Sequence, residues 1–475
     1  MGKAQQTLTG VAASFAALLM GSLNVWTSYT LQHFTSPNST ILETPMTEFQ
    51  ASLVGSLPSL GAMIGSAITG ALINSYGRKL GAIMLVLPYI FHWVTIFMSS
   101  SALPIMVARF IGGIPGGAYV VYAPIYISEI AEPAIRGSLA SATVTFYFMG
   151  AIVSYLNGWF ISYRTIILIN LALCAINIVL LSLVVESPMF LLRQNKEQAA
   201  LKALAHYRDG STTSKSVLEE LSAMRQQLYS PIEMASVRTG PEVEEGEKEK
   251  LNADQVEVVI PPKVPAWKLL FTSRSSRRAF LAVGTILTLQ VLMGAVAVQV
   301  YAGQIFAKAA PGKSSSFCSV LVALTSFGGC ALAMAITDKA GRRALIISSS
   351  VLSALCMGAL GAQLQSGTPP LLTAGTILVF CFLFNYGAGP IPYVLMAEVF
   401  SPEVQSIASM ILMESMWFTN FLLIAIFPTI LSLVGMHGAC FGFACVALGN
   451  ACFSYFRVPE TKGLSGKDIQ ALFAK

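Results

Sequence analysis

Three charged motifs occur twice in this chain of 475 residues, in the same order and at similar intervals. The first copy is Gly77-Arg78-Lys79, Glu129 and Glu186, and the second is Gly341-Arg342-Arg343, Glu398 and Glu460. Arg136, between Glu129 and Glu186, is a further basic member of the first set. A guanidinium group binds a carboxylate through two parallel hydrogen bonds, and glycine permits the tight turn that precedes it. The pattern predicts two sets of ion pairs between helices. They could form a gate that breaks when two halves separate, or they could be static staples.

Neutral polar side chains inside long apolar segments form a second candidate set, which could bind a solute through hydrogen bonds. They are Trp26, Thr27, Gln290, Gln299, Asn385, Tyr393 and Asn420. Each side chain offers a hydrogen-bond donor or acceptor in surroundings that are poor in water. Polar residues in membranes also bond between helices, so solute binding and helix packing remain alternatives for every member of the set.

Two ionisable residues, Arg109 and Glu414, lie within apolar segments. A charge inside a membrane costs at least ~2.5 kcal/mol, which makes both residues candidates for a functional role such as coupling. Glu414 could carry a proton, bind a cationic solute or face an aqueous vestibule, and these three alternatives remain open.

Motifs for catalysis and for cofactor binding do not occur in the sequence. HExxH, GxSxG and clusters of cysteine and histidine are missing, and residues 312–314 resemble a phosphate-binding loop but lack its upstream glycine at position 307. The sequence therefore predicts a protein that is not an enzyme, needs no cofactor and binds no metal.

The composition of the chain identifies the surroundings in which these residues act. Apolar residues make up 55% of the chain and charged residues 11%, whereas a soluble domain carries about 25% charged residues. This composition excludes a secreted globular protein, a disordered chain and a nucleic-acid binder. A polytopic α-helical membrane protein remains, with the lipid bilayer as its surroundings.

The uncharged intervals are long enough for twelve spans of about 20 residues each. A long polar loop divides them into two sets of six, which gives segments 1–186, 187–278, 279–456 and 457–475. The loop is predicted to contain short helices up to about residue 228 and a disordered acidic stretch at 241–257. The last segment is predicted to be a tail.

Lysine and arginine predict the orientation of the chain. An even number of spans places both termini on one side, and this side also receives most of the basic residues, so the positive-inside rule makes it cytoplasmic. Asn38-Ser39-Thr40 is a glycosylation motif on the predicted outer face. Its placement predicts a multi-pass protein of the plasma membrane.

The ordered set of motifs resembles the sugar porter family of the major facilitator superfamily, over nearly the whole chain. Besides the charged motifs it includes Pro124-x-Tyr126-x-x-Glu129, Glu186-Ser187-Pro188, Gly389-Pro390-Ile391-Pro392 and Pro459-Glu460-Thr461. Val25-Trp26-Thr27-Ser28 looks like the insect branch that transports trehalose and hexoses. The resemblance implies an all-α fold of twelve transmembrane helices in two parallel six-helix halves, with a central solute site.

The resemblance also implies a function, the transport of a sugar or a sugar-like solute by alternating access. Gln290 and Tyr393 stand at positions where the family binds sugar, but valine and methionine replace other family residues at Val144 and Met416. The first span lacks the aspartate of proton-coupled members, which favours facilitated diffusion. The alternatives are proton coupling, a non-sugar solute and a sensor that does not transport. The oligomeric state is left open.

Overall fold

The computed structural model of the protein describes residues 2–37, 41–228, 265–309, 314–464 and 466–474. Every regular element in these ranges is an α-helix. The glycosylation motif that begins at Asn38 and the acidic stretch at 241–257 lie outside the described residues.

The nineteen helices of the described ranges are numbered in chain order. They are α1 (Gly2–Thr35), α2 (Glu48–Tyr76), α3 (Arg78–Met98), α4 (Ala102–Ile130), α5 (Pro133–Phe160), α6 (Tyr163–Leu183), α7 (Pro188–Arg193), α8 (Glu197–Arg208), α9 (Lys215–Leu228), α10 (Ala266–Thr272), α11 (Arg274–Leu292), α12 (Ala295–Val300), α13 (Ala302–Ala309), α14 (Ser315–Ala340), α15 (Arg342–Ser366), α16 (Pro370–Tyr386), α17 (Ile391–Glu398), α18 (Pro402–Arg457) and α19 (Gly466–Ala474).

Eleven segments of the described residues are long and apolar enough to cross a membrane. The last of them belongs to α18, whose 56 residues would extend roughly 84 Å as one straight helix, far beyond a bilayer core of about 30 Å. Gly435 divides α18, because its φ of 70° and ψ of 175° are not helical. With this division the spans number twelve, the number that the sequence predicts.

The first half consists of α1 to α6 and the second of α11 to α18. In the first half α2 packs along α4 and α1 along α5, while α14 packs on α16 and α15 on α18 in the second. Gly65 faces the Ile114 carbonyl and Gly117 faces the Ala62 carbonyl, so closely that a Cβ atom at either glycine would collide with the neighbouring backbone. Small residues thus allow α2 and α4 to approach each other without side chains between them.

The seventh and tenth spans are broken helices, which the sequence analysis treats as continuous. α11 ends at Leu292, and Gly294 adopts a φ of 89° before α12 begins. In the tenth span, α16 ends at Tyr386 and α17 begins at Ile391. Breaks of this kind in transporter helices expose backbone groups at the level where solutes bind.

We call the end of the bundle where α1 begins and α18 ends the terminal face, and the other end the opposite face. The short helices α7 to α10 and the tail helix α19 lie at the terminal face. The tail helix is not anticipated by the sequence analysis. It forms because Ile469 and Phe473, one helical turn apart, bury their side chains among residues of α10, α11 and α18.

The two halves are held together mainly near the opposite face. The hydrogen bonds that join them there are Thr27–Val300, Ser28–Gly303, Tyr147–Gln299 and Tyr155–Gln299. A fifth hydrogen bond, between Ser66 and Glu414, lies deeper in the bundle. Among the described residues no hydrogen bond or ion pair joins the halves at the terminal face. The protein is therefore closed at the opposite face in this conformation.

Candidate functional site

A buried ion pair forms the centre of the first charged cluster. Arg78, which is 1% exposed, donates from Nε to Glu129 Oε2 at 2.8 Å and from Nη2 to Glu129 Oε1 at 2.7 Å. Ser187 donates a short hydrogen bond to the same carboxylate, and the Phe190 ring lies 5.3 Å from the guanidinium carbon. The pair joins the start of α3 to the end of α4 by the bidentate geometry that the sequence predicts.

Glu186 binds the N-terminus of α3 instead of a side-chain cation. Its carboxylate accepts hydrogen bonds from the backbone N–H groups of Arg78 at 2.9 Å and Lys79 at 3.1 Å, where the helix dipole favours an anion. Gly77 has a φ of 98°, and a Cβ atom there would meet the Glu186 carboxylate. Burial raises the pKa of the Glu186 carboxyl, against the opposing effect of these N–H groups.

The second cluster repeats most of the contacts of the first. Arg342 donates to Glu398 from Nε at 3.2 Å and from Nη2 at 2.8 Å, and Thr461 donates to the same carboxylate at 2.8 Å. Glu460 accepts from the backbone N–H of Arg342 at 2.9 Å and of Arg343 at 3.1 Å. The internal repeat of the sequence is thus also a repeat of the three-dimensional contacts.

In this conformation, which is closed at the opposite face, each cluster lies within a single half, and a role of the clusters in a gate between the halves stays a prediction. Two of the predicted members do not pair with a carboxylate through their side chains. Arg136 donates to the Ala131 carbonyl at 3.2 Å, and Arg343 donates to the Tyr455 carbonyl at 2.6 Å. The clusters fasten neighbouring helices of one half to each other, which lets each half move as a unit.

The two broken spans meet at Gln290. Its Nε2 donates to the Gly389 carbonyl at 2.7 Å, which satisfies a backbone acceptor in the break between α16 and α17. Its Oε1 is buried and accepts no well-formed hydrogen bond from a described residue, although Tyr393 lies nearby. Tyr393 also interacts electrostatically with Tyr147 of the first half. Gln290 and Tyr393 therefore lie together, close to the boundary between the halves.

The part of α18 before Gly435 contains two more unused polar atoms. Asn420 is 6% exposed, and its Nδ2 contacts only the weak acceptor Sδ of Met416 at 2.9 Å. Its Oδ1 and the Nε1 of Trp417 are buried without a hydrogen-bond partner among the described residues. Buried polar groups are nearly always satisfied in native proteins, so such a group near a candidate site indicates a missing ligand or water.

The other predicted binding residues lie elsewhere. Asn385 donates to the Cys381 carbonyl at 2.9 Å and receives the Cys330 thiol at 3.6 Å, so it joins helices of the second half. Gln299 and Thr27 belong to the closure at the opposite face. Trp26 is 0% exposed, inside an aromatic cluster with Phe34, His92, Trp93 and Tyr163. Its Nε1 is buried without a hydrogen-bond partner among the described residues, and its assignment to a solute site stays a prediction.

Arg109 is a buried cation without a carboxylate partner among the described residues. Its Nε donates to the Val54 carbonyl at 2.9 Å and its Nη1 to the Leu23 carbonyl at 2.8 Å. The guanidinium carbon lies 5.5 Å from the ring centre of Trp26, within the range of a cation–π interaction. Arg109 thus fastens α4 to α1 and α2.

Glu414 lies at the contact between the halves. Its Oε1 accepts a hydrogen bond from Ser66 Oγ of α2 at 2.7 Å. No lysine, arginine or histidine forms an ion pair with it in the described part of the chain. This carboxylate is the one acidic group that bonds across the boundary between the halves among the described residues.

The sequence analysis does not anticipate several of these partners. Ser187 and Thr461 each follow a motif glutamate directly, and this repeated position is a signal that could have identified them as ligands of Glu129 and Glu398. Trp417, one helical turn before Asn420, carries a weaker signal. Ser66 carries none, because a serine in an apolar helix commonly bonds to its own backbone, as Ser66 also does.

Comparison with known proteins identifies the family to which this sequence is similar. The profile of the family described as "Sugar (and other) transporter" matches residues 5–473. The facilitated trehalose transporter Tret1 of Bombyx mori is 26% identical over 97% of this chain and 86% of its own. Mouse solute carrier family 2, facilitated glucose transporter member 8, is 27% identical over 89% and 85%. The Drosophila virilis Tret1 is 24% identical over 98% of this chain, which spans 48% of that relative's length.

Solved structures show the same fold. The inward open conformation of the xylose transporter XylE from E. coli superposes with a TM-score of 0.76 at 19% identity, over 98% of this chain and 99% of that one. The all-α fold with two six-helix halves, predicted from the motifs, is therefore confirmed.

Proposed function

The chain belongs to the sugar (and other) transporter family, and we therefore propose that it transports a sugar by facilitated diffusion. Membership of this family also confirms the prediction that the protein is not an enzyme. The solute is a hexose or a disaccharide such as trehalose, the class named for its relatives. The two halves expose the solute site alternately to the two sides of the membrane. The terminal face is cytoplasmic, and the protein resides in the plasma membrane.

Three polar atoms without a partner in the described protein carry this proposal. Gln290 Oε1, Trp417 Nε1 and Asn420 Oδ1 offer two acceptors and one donor that the described protein leaves unpaired. A sugar hydroxyl is both a donor and an acceptor, so a sugar is a suitable partner for such a mixed set. An apolar solute would leave all three groups unsatisfied, at about 1–3 kcal/mol each.

The solute site can be tested at Asn420. Replacing Asn420 with leucine is expected to raise the KM for the transported sugar about tenfold or more, because a sugar hydroxyl loses its partner. Thr419→Val is the matched control, since the Thr419 hydroxyl already bonds to the Ser415 carbonyl of its own helix. Uptake by proteoliposomes gives both values. Equal KM values for the two variants would place the sugar elsewhere.

The surroundings of Arg109 favour facilitated diffusion over proton coupling. A proton-coupled carrier needs an acid whose protonation alters a nearby interaction, and Arg109 bonds only to backbone carbonyl groups and stacks near Trp26. The protonation of a carboxylate therefore cannot release this cation. Proton coupling through Glu414 is the second candidate, because its hydrogen bond to Ser66 crosses between the halves.

A pH experiment separates the two candidates. With facilitated diffusion, the initial rate of uptake should be the same with and without an inward proton gradient, and proteoliposomes should not take up protons with the sugar. Glu414→Gln, which retains an acceptor for Ser66, should leave this behaviour unchanged. Uptake that the gradient accelerates in the parent but not in Glu414→Gln would instead establish Glu414 as the coupling group. No uptake of any hexose or disaccharide would contradict the proposed function itself.

A further inference from the structure

Three exposed cations at the terminal face have no partner in the described protein. Lys268 lies on α10, and Arg274 and Arg277 lie on the first turn of α11. None of the three side chains has a hydrogen bond or an ion pair with another described residue. Their neighbour Arg278 differs, because its Nη1 donates to the Ala474 carbonyl of α19 at 3.4 Å. The three side chains thus form no hydrogen bond or ion pair with the rest of the described fold.

Two large aromatic side chains accompany these cations. Trp267 is 53% exposed and Phe271 is 48% exposed, and the Lys268 ammonium lies 5.4 Å from the Trp267 ring centre. Leu270, by contrast, is completely buried in the cluster that α10 shares with α11 and α18. Helix α10 is therefore anchored by one face and presents its aromatic and cationic side chains outward.

The position of this surface relative to the membrane determines what it can bind. Arg274 is the first residue of the seventh span, so α10 and the first turn of α11 lie at the level of the lipid headgroups. Tryptophan is enriched at this level, where its ring contacts the acyl boundary and its N–H contacts water. Lysine and arginine at this level attract the phosphate groups of anionic lipids.

We propose that Trp267, Lys268, Phe271, Arg274 and Arg277 form a binding site for an anionic phospholipid of the leaflet at the terminal face. The cations bind the headgroup phosphate, and the two aromatic rings lie against the upper part of the acyl chains. The exposed rings favour a lipid over a soluble anion, because a soluble anion would not cover them. The proposal rests on the membrane fold and not on the transported solute.

Binding of lipids to the full-length protein tests this site. Native mass spectrometry in detergent, with phosphatidylserine or phosphatidylcholine added at matched concentrations, measures the preference for the anionic lipid. We expect the parent to prefer phosphatidylserine. Lys268→Gln/Arg274→Gln/Arg277→Gln should weaken phosphatidylserine binding by a factor on the order of 100, at about 1 kcal/mol for each cation, and should hardly affect phosphatidylcholine. The preference of the parent should also fall as salt is raised.

A second triple variant provides the control. Lys196→Gln/Lys202→Gln/Lys215→Gln removes the same charge from exposed positions on or next to α8 and α9, and it should retain the preference. If both variants lose the preference for phosphatidylserine equally, the effect is one of general charge and the proposed site is wrong. An unchanged preference in Lys268→Gln/Arg274→Gln/Arg277→Gln would also overturn the site. Displacement of the lipid by inorganic phosphate, or a gain in lipid binding when the glutamates of 241–257 are replaced by glutamine, would assign the surface to another anion.

Discussion

Replacing Glu129 with glutamine is expected to destabilise the protein by about 3–5 kcal/mol, because the Arg78 guanidinium would remain buried without a counter-charge. Arg78 is 1% exposed, and its pair with Glu129 is bidentate. The same carboxylate also accepts the hydroxyl of Ser187 at the start of α7. A single neutralisation therefore weakens contacts among α3, α4 and the linker after α6.

The equivalent change in the second half should cost far less. The Arg342 and Glu398 side chains are 11% and 27% exposed, and Arg342 keeps a second carboxylate partner in Asp338 at 3.0 Å. Water and Asp338 can both compensate for a lost charge, so Glu398→Gln should cost about 1 kcal/mol or less. The corresponding ion pairs of the two halves thus differ in their exposure to solvent.

Thermal unfolding of the purified protein in detergent checks this difference. The unfolding midpoint of Glu129→Gln should lie well below that of Glu398→Gln, and the double variant Arg78→Gln/Glu129→Gln should recover part of the loss because neither charge is left buried. Equal midpoints for the two single variants would contradict the argument from burial. A double variant less stable than Glu129→Gln would show that Arg78 stabilises the fold independently of its partner.

The charged clusters show how far the sequence predicts the fold. Repetition of Gly-Arg and of the two glutamates predicts which residues pair, because an ion pair requires only a cation and an anion that the topology brings together. Repetition does not show that Glu186 and Glu460 bind backbone N–H groups at the start of a helix. Every residue except proline carries such a donor, so no residue type in the sequence marks it. It also gives no distance between the halves, and for this reason the sequence leaves open whether the pairs form a gate or act as static staples.

The solute site was less predictable for a related reason. A break in a helix depends on a few backbone angles, and the glycines at positions 294, 387 and 389 are compatible with both continuous and broken spans. Thr27 and Asn385 are polar residues in apolar helices, just as Gln290 and Asn420 are. Only packing decides which of them bond to protein atoms and which keep an unused donor or acceptor.

Removing hydrogen bonds that close the opposite face is expected to have a large effect on the balance between the two open forms. Ser28→Ala/Tyr155→Phe should shift the equilibrium between the two open forms about 30-fold away from the conformation described above. Tyr155 donates to the Gln299 carbonyl at 2.9 Å, and Ser28 accepts from the Gly303 N–H at 2.9 Å. Both bonds join the halves where they are closed, and a typical hydrogen bond contributes about 1 kcal/mol. Halves that swing apart must break both bonds, so their loss favours opening.

Amide hydrogen exchange measures this shift without a known solute. Peptides from the ends of α1, α12 and α13 should exchange faster in the double variant, while peptides at the start of α5 should exchange more slowly as the terminal face closes. Ser22→Ala/Tyr29→Phe is the matched control, because it removes a serine and a tyrosine hydroxyl that bond to Asn170 and Ser154 within the first half. If both double variants exchange alike, the bonds between the halves do not hold the opposite face closed, and the alternation between two open forms needs another determinant.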